Sequence, residues 1–121
     1  MRPSELKITV QEIEHGITTK NILLNDKNAE YSRLVESSAQ AKRSWKMAHV
    51  KKMLELTDIA MTARKAHAEG DREISKLEMQ FEIALGIEKA CLESMKDLRS
   101  QIDAYRSFLS WKKAEFFNPT I

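Results

Sequence analysis

Apolar side chains in the second half of the chain recur at alternating steps of three and four: Ile74, Leu77, Phe81, Ala84, Cys91, Met95, Leu98, Ile102, Tyr105, Leu109 and Phe116. Glu88 and Lys112 occupy the two remaining places, so the pattern is a heptad seam sustained for six repeats. It predicts one long helix. Gly70 ends the preceding element, Asp71 and Glu73 put carboxylates in the first turn, and Asn118 and Pro119 stop the helix just after Phe116. At ~1.5 Å per residue such a helix is about 70 Å long.

The first half carries a weaker seam of Tyr31, Leu34, Ser38, Ala41, Trp45 and Ala48, drifting to Leu54, Thr57, Met61 and Arg64. Its members are small or polar, so a narrow helix face meets the bulky one, with Trp45 as the main anchor. A link of four residues, Ala68 to Asp71, makes the two helices antiparallel neighbours. A turn there implies paired positions that sum to about 140, with Trp45 near Met95, Ala41 near Leu98 and Leu34 near Tyr105.

Residues 1–25 admit two readings. Leu6, Ile8 and Val10 alternate with polar residues like a short strand, whereas Thr9 with Glu12 forms a capping box that opens a helical face of Ile13, Ile17 and Leu24. The helix is favoured, with a kink or break at Asn25 and Asp26 and with Gly16 as a weak point. In the expected register Phe116 pairs near Leu24, which leaves residues 1–23 without a partner in the chain. A two-helix core is also thin for Trp45, Phe81, Tyr105 and Trp111, and self-association is the remedy. The expected fold is therefore all-α: a long antiparallel two-helix hairpin (coiled coil) over residues 26–117 with its turn near 68–71. An extra N-terminal helical or extended segment, 1–25, lies between subunits of an oligomer, and 118–121 form a tail.

Composition agrees. The 121 residues make about one domain, and the two prolines, Pro3 and Pro119, leave the interior free of helix breakers. A net charge of +2 does not by itself mark a nucleic-acid binder. Cys91 is the one cysteine, so an intrachain disulfide and a thiolate metal cage are excluded, and a reducing cytoplasm fits. Neither a signal peptide nor a membrane span of ~18 apolar residues is visible.

Chemistry has little to stand on. His15, His49 and His67 stand far apart, and the closeness of His15 to Glu12 reads as a surface contact. No phosphate-binding glycine loop and no hydrolase or metalloprotease motif occurs. Cys91, on the seam, reads as a small buried hydrophobe, and the methionines as core filling. No enzymatic activity, cofactor, metal or small-molecule substrate is expected.

Charge is more informative. Between Ala41 and Lys65 stand seven basic residues, Lys42, Arg43, Lys46, Lys51, Lys52, Arg64 and Lys65, against Glu55 and Asp58. In the expected hairpin Lys42, Arg43 and Lys46 lie beside Lys96 and Arg99, and Arg106, Lys112 and Lys113 continue the strip. Lys42, Arg43, Lys46, Lys51, Arg99 and Arg106, with Trp45 and Trp111 for base stacking, form the candidate nucleic-acid site. The competing reading is a solvated face neutralised by Glu93, Asp97 and Asp103.

Ala41 to Ala48, AKRSWKMA, and Leu98 to Glu115, LRSQIDAYRSFLSWKKAE, carry a likeness to known proteins, the latter chiefly through Arg99, Ile102, Tyr105, Arg106 and Ser107. Over Glu30 to Glu115 the chain resembles small helical-hairpin early proteins of tailed bacteriophages. The resemblance implies an accessory or loading factor for recombination or replication in the cytoplasm of a bacterial host, acting on single-stranded DNA or its binding protein. A second reading is a protein-binding inhibitor or adaptor of a host enzyme, anchored by Trp111, Phe116 and Phe117. A third is a structural assembly protein built through residues 1–24.

Overall fold

The computed structural model describes residues 8–117, and the side chains of residues 8–115. Three helices follow one another, α1 (Val10–Glu55), α2 (Met61–Glu69) and α3 (Arg72–Phe117), with no strand among the described residues. The fold is all-α, and α1 packs on α3 as a hairpin. The strand-like alternation at Leu6 lies partly outside the described residues; from Val10 onward the chain is helical. The tail, 118–121, lies outside them too.

The helices divide into two compact units, Met1–Ala29 with Leu92–Ile121, and Glu30–Cys91. In the first unit the capping box forms: Glu12 N–H donates to Thr9 Oγ1 at 3.1 Å, and Thr9 N–H donates to Glu12 Oε2 at 3.2 Å. Ile13 is fully buried, as Met95, Leu98 and Ile102 of α3 are nearly so. A Cβ built on Gly16 would meet Cζ of Tyr105 at 2.8 Å and Cε1 at 2.9 Å. Gly16 is therefore the hole into which the tyrosine ring fits, and the reason a poor helix former is kept there. The expectation that residues 1–23 lack a partner in the chain is corrected by this contact, and Tyr105 stands on Gly16 rather than near Leu34. No break occurs at Asn25 and Asp26, because α1 runs through them.

In the second unit Trp45 stacks on Phe81, with ring centroids 5.7 Å apart and planes 18° apart. The Ser38 hydroxyl, 6% exposed, lies 3.1 Å from the Val35 carbonyl oxygen and 3.4 Å from Glu88 Oε1, so one proton serves two acceptors. Trp45 with Phe81, and Ser38 with Glu88, both sum to 126. That is two heptads below the expected 140, so Trp45 faces Phe81 and not Met95. The seam lies on the expected face, since a shift by whole heptads leaves every side chain on its own side of the helix.

The shift originates in the link. The first helix stops at Glu55, and residues 56–60 form turns in which Leu56 N–H donates to the Met53 carbonyl and Ile59 N–H to the Leu56 carbonyl. The short α2 follows, with Arg64 Nε donating to the Ile59 carbonyl at 2.8 Å and Ala68 fully buried. Leu54 and Met61, expected on the drifting seam, are instead 67% and 57% exposed. The seam of α1 continues to Lys52, which is half-buried.

Asp71 begins α3. Its Oδ1 accepts from the N–H groups of Glu73 at 3.0 Å and Ile74 at 3.1 Å, and its Oδ2 lies 3.5 Å from the Lys52 ammonium. The Ile74 N–H, helped by Lys52 and Glu73 against partial desolvation, holds the carboxyl below its ordinary value of 3.8.

Two outcomes follow from these contacts. Gly16→Ala lowers stability in urea titrations by about 1 kcal/mol, because crowding the Tyr105 ring outweighs the gain in helix propensity; in a Tyr105→Ala background the same change stabilises. Asp71→Ala lowers the melting temperature at neutral pH. Because the folded carboxyl has the depressed pKa, its contribution is full above 3.8 and fades as the pH falls through the lower folded value, so melts of the two proteins converge there.

Candidate functional site

On a helix each residue turns the chain by about 100°, so Lys42 and Lys46 of α1 share one side, with His49 next to them. Arg43 stands about 100° from Lys42, and Lys51 about 180° away across the helix. The four cations are exposed. The strip read from sequence as one surface is thus three directions around α1.

Trp45 is committed to packing. Its ring lies on Phe81, the Lys46 ammonium sits 4.4 Å from its centroid, and its indole N–H is buried with no hydrogen-bond partner among the described residues. A base has no free claim on that ring. The cation over the indole is a stabilising contact in its own right, since the ring face is electron-rich.

Around this residue α2 adds what the sequence did not foretell. A cavity of about 370 Å³ is lined by Trp45, Lys46 and His49 of α1, Lys65 and Glu69 of α2, and Ile74 and Glu78 of α3. The fold-back of α2 brings Lys65 and Glu69 to the cavity that Lys46 also lines; without a Gly or Pro in residues 56–60 nothing in the pattern announced that turn. The lining holds cations and carboxylates but no serine, threonine or cysteine nucleophile. Among the described residues no cluster of three His, Cys, Asp or Glu side chains could hold a metal ion.

Arg99, Arg106 and Trp111 belong to the other unit. Arg99 and Arg106 are seven residues apart and share a side of α3, with Arg106 Nη1 3.7 Å from Asp103 Oδ1. Trp111 is 46% exposed, leans on Phe108 at 5.8 Å and 55°, and lies about 140° around the helix from Arg106. Lys96 pairs with Glu93 at 3.2 Å. Lys42, Arg43, Lys51 and Arg99 form no ion pair with any described residue. The side chains of Phe116 and Phe117 lie outside the described residues.

No helix among the described residues is long and apolar enough to cross a membrane. No protein-family model, curated protein or solved structure matches the chain.

The two tryptophans should separate by role. Trp45→Ala costs about 3 kcal/mol of unfolding free energy through lost stacking and the hole it leaves, while Trp111→Ala changes stability by less than about 0.5 kcal/mol, both read by chemical denaturation.

Proposed function

We propose that this protein is a non-enzymatic, phage-type accessory factor in DNA recombination or replication that works as an oligomer and holds single-stranded DNA or the protein that coats it. The observation that carries the reading is a set of exposed cations, Lys42, Arg43, Lys51 and Arg99, with no acidic partner among the described residues. Unpaired cations keep their full attraction for phosphates and release condensed counterions on binding. Arg106 adds a fifth through exchange of its exposed contact with Asp103. Base stacking falls to Trp111, the tryptophan whose ring is open to solvent. Cations facing several ways around α1 suit a flexible single strand, which can wrap, better than a straight duplex.

A second reading has one observation in its favour. Trp111 with Phe108 offers an exposed aromatic pair of the kind that anchors protein partners.

Fluorescence anisotropy of labelled single-stranded and duplex DNA decides between them. Five phosphate contacts predict single-strand affinity that falls about a hundredfold between roughly 50 and 200 mM salt. Lys42→Glu with Arg43→Glu abolishes it while the circular-dichroism melt stays in place. Absence of binding to either DNA at low salt overturns the reading, and capture of a DNA-processing protein through Trp111 replaces it.

A further inference from the structure

The side of α3 that faces away from α1 carries a seam of its own. Met79, Ile83, Gly86 and Ala90 follow at steps of four, three and four, and all four are exposed, Met79 and Ile83 at 56% each. Met79 stands about 200° around the helix from Phe81, the residue that meets Trp45, so this seam is distinct from the buried one. Gly86 has open space where a Cβ would be. Gly16 has its reason in the Tyr105 ring; Gly86 weakens α3 with nothing among the described residues close enough to account for it.

We propose that this face is the contact between two copies of the chain, joined by antiparallel packing of α3 on the partner's α3 about a two-fold axis between Ala84 and Leu85. The occupant is a second copy because the face complements itself. Reversed about that axis, the bulky half meets the small half: Ile83 opposes Gly86 of the partner subunit, and Met79 opposes Ala90 of the partner subunit, a close-approach arrangement of knobs over holes. The charged flank matches in the same register. Glu82 and Lys89 lie on one side of the seam, both exposed, and antiparallel packing sets each against the other's counterpart, giving two ion pairs per dimer. A parallel arrangement would instead stack Glu82 on Glu82 and the two large residues on each other.

This deepens the oligomer of the proposed function, and it is tested without DNA, so the two can fail separately. Sedimentation equilibrium on the full chain from about 1 µM to about 200 µM gives a monomer–dimer equilibrium. Glu82→Lys weakens dimerisation roughly tenfold, since two attractions become two repulsions, and Glu82→Lys with Lys89→Glu restores it. Ile83→Asp yields a monomer whose helical content is unchanged, as the site is open to solvent in the isolated chain. A wild-type chain that stays monomeric throughout overturns the proposal. So does a dimer that is indifferent to Glu82→Lys and Ile83→Asp, which would place self-association elsewhere.

Discussion

The register between α1 and α3 is the constraint on which the rest depends. A heptad seam is nearly degenerate: sliding one helix by seven residues leaves apolar residues against apolar ones and changes little of the buried area. In each unit the observed pairing is singled out by contacts that tolerate no slide, Gly16 with Tyr105 in the first and Ser38 with Glu88 and Trp45 with Phe81 in the second. The Tyr105 ring fits only opposite a residue without a Cβ, and Gly16 supplies that. Ser38 and Glu88, polar residues on opposing seams, meet each other. A slide of one heptad would set the Glu88 carboxylate against Trp45 and leave it without its donor, an arrangement that costs more than the hydrogen bond itself is worth. The Trp45–Phe81 stack then takes the large volumes on both helices at one level.

This register also fixes what the molecule can offer a partner. Because the hairpin closes at Lys52 and Asp71, residues 56–69 are free to fold back as α2 rather than extend the long helices. The fold-back places Lys65 and Glu69 around the cavity that Trp45 lines, while the Trp45 ring itself is taken up by Phe81 and the Lys46 ammonium. Lys42, Arg43, Lys46 and Lys51 are left exposed around α1, and of the two tryptophans Trp111 is the one whose ring is open to solvent. Structure and electrostatics thus divide the two tryptophans, one for the core and one for the surface.

Much of this was legible in the sequence. Every described seam position of α3, from Ile74 to Lys112, is buried or half-buried, and the Thr9–Glu12 capping box forms as the spacing requires. The length of the link was not legible, because residues 56–60 contain neither Gly nor Pro and the residues after them keep a helical period. The turn is carried by weaker terms: Thr57, Asp58 and Ile59 are poor helix formers, and Arg64 reaches back to the Ile59 carbonyl only once the chain has turned. Nor was the full reach of α1 legible. Its seam runs from Ile13 to Lys52 through Lys20 and Lys27, which are half-buried there; lysine, whose long stem packs on apolar neighbours, looks like an interruption in a one-letter sequence. The candidate cations could be named from charge alone, but which were paired and which shared a side depended on helix phase and on contacts with acidic neighbours.

The outer seam of α3 connects the fold to the function proposed for it. In the proposed dimer the contact lies on α3, and the exposed Lys42, Arg43 and Lys51 stand on α1, outside the contacting seam. Two weak single-strand sites on one particle bind a continuous strand far more tightly than either alone, since the second engagement is intramolecular. A chain with a net charge of only +2 gains by pairing what its overall charge does not give it, provided its cations are exposed and unpaired. Self-association through an apolar seam and strand binding through scattered cations are, on this view, complementary uses of two helix faces: the buried seam of α3 sets the register, and its outer seam sets the number of copies that act together.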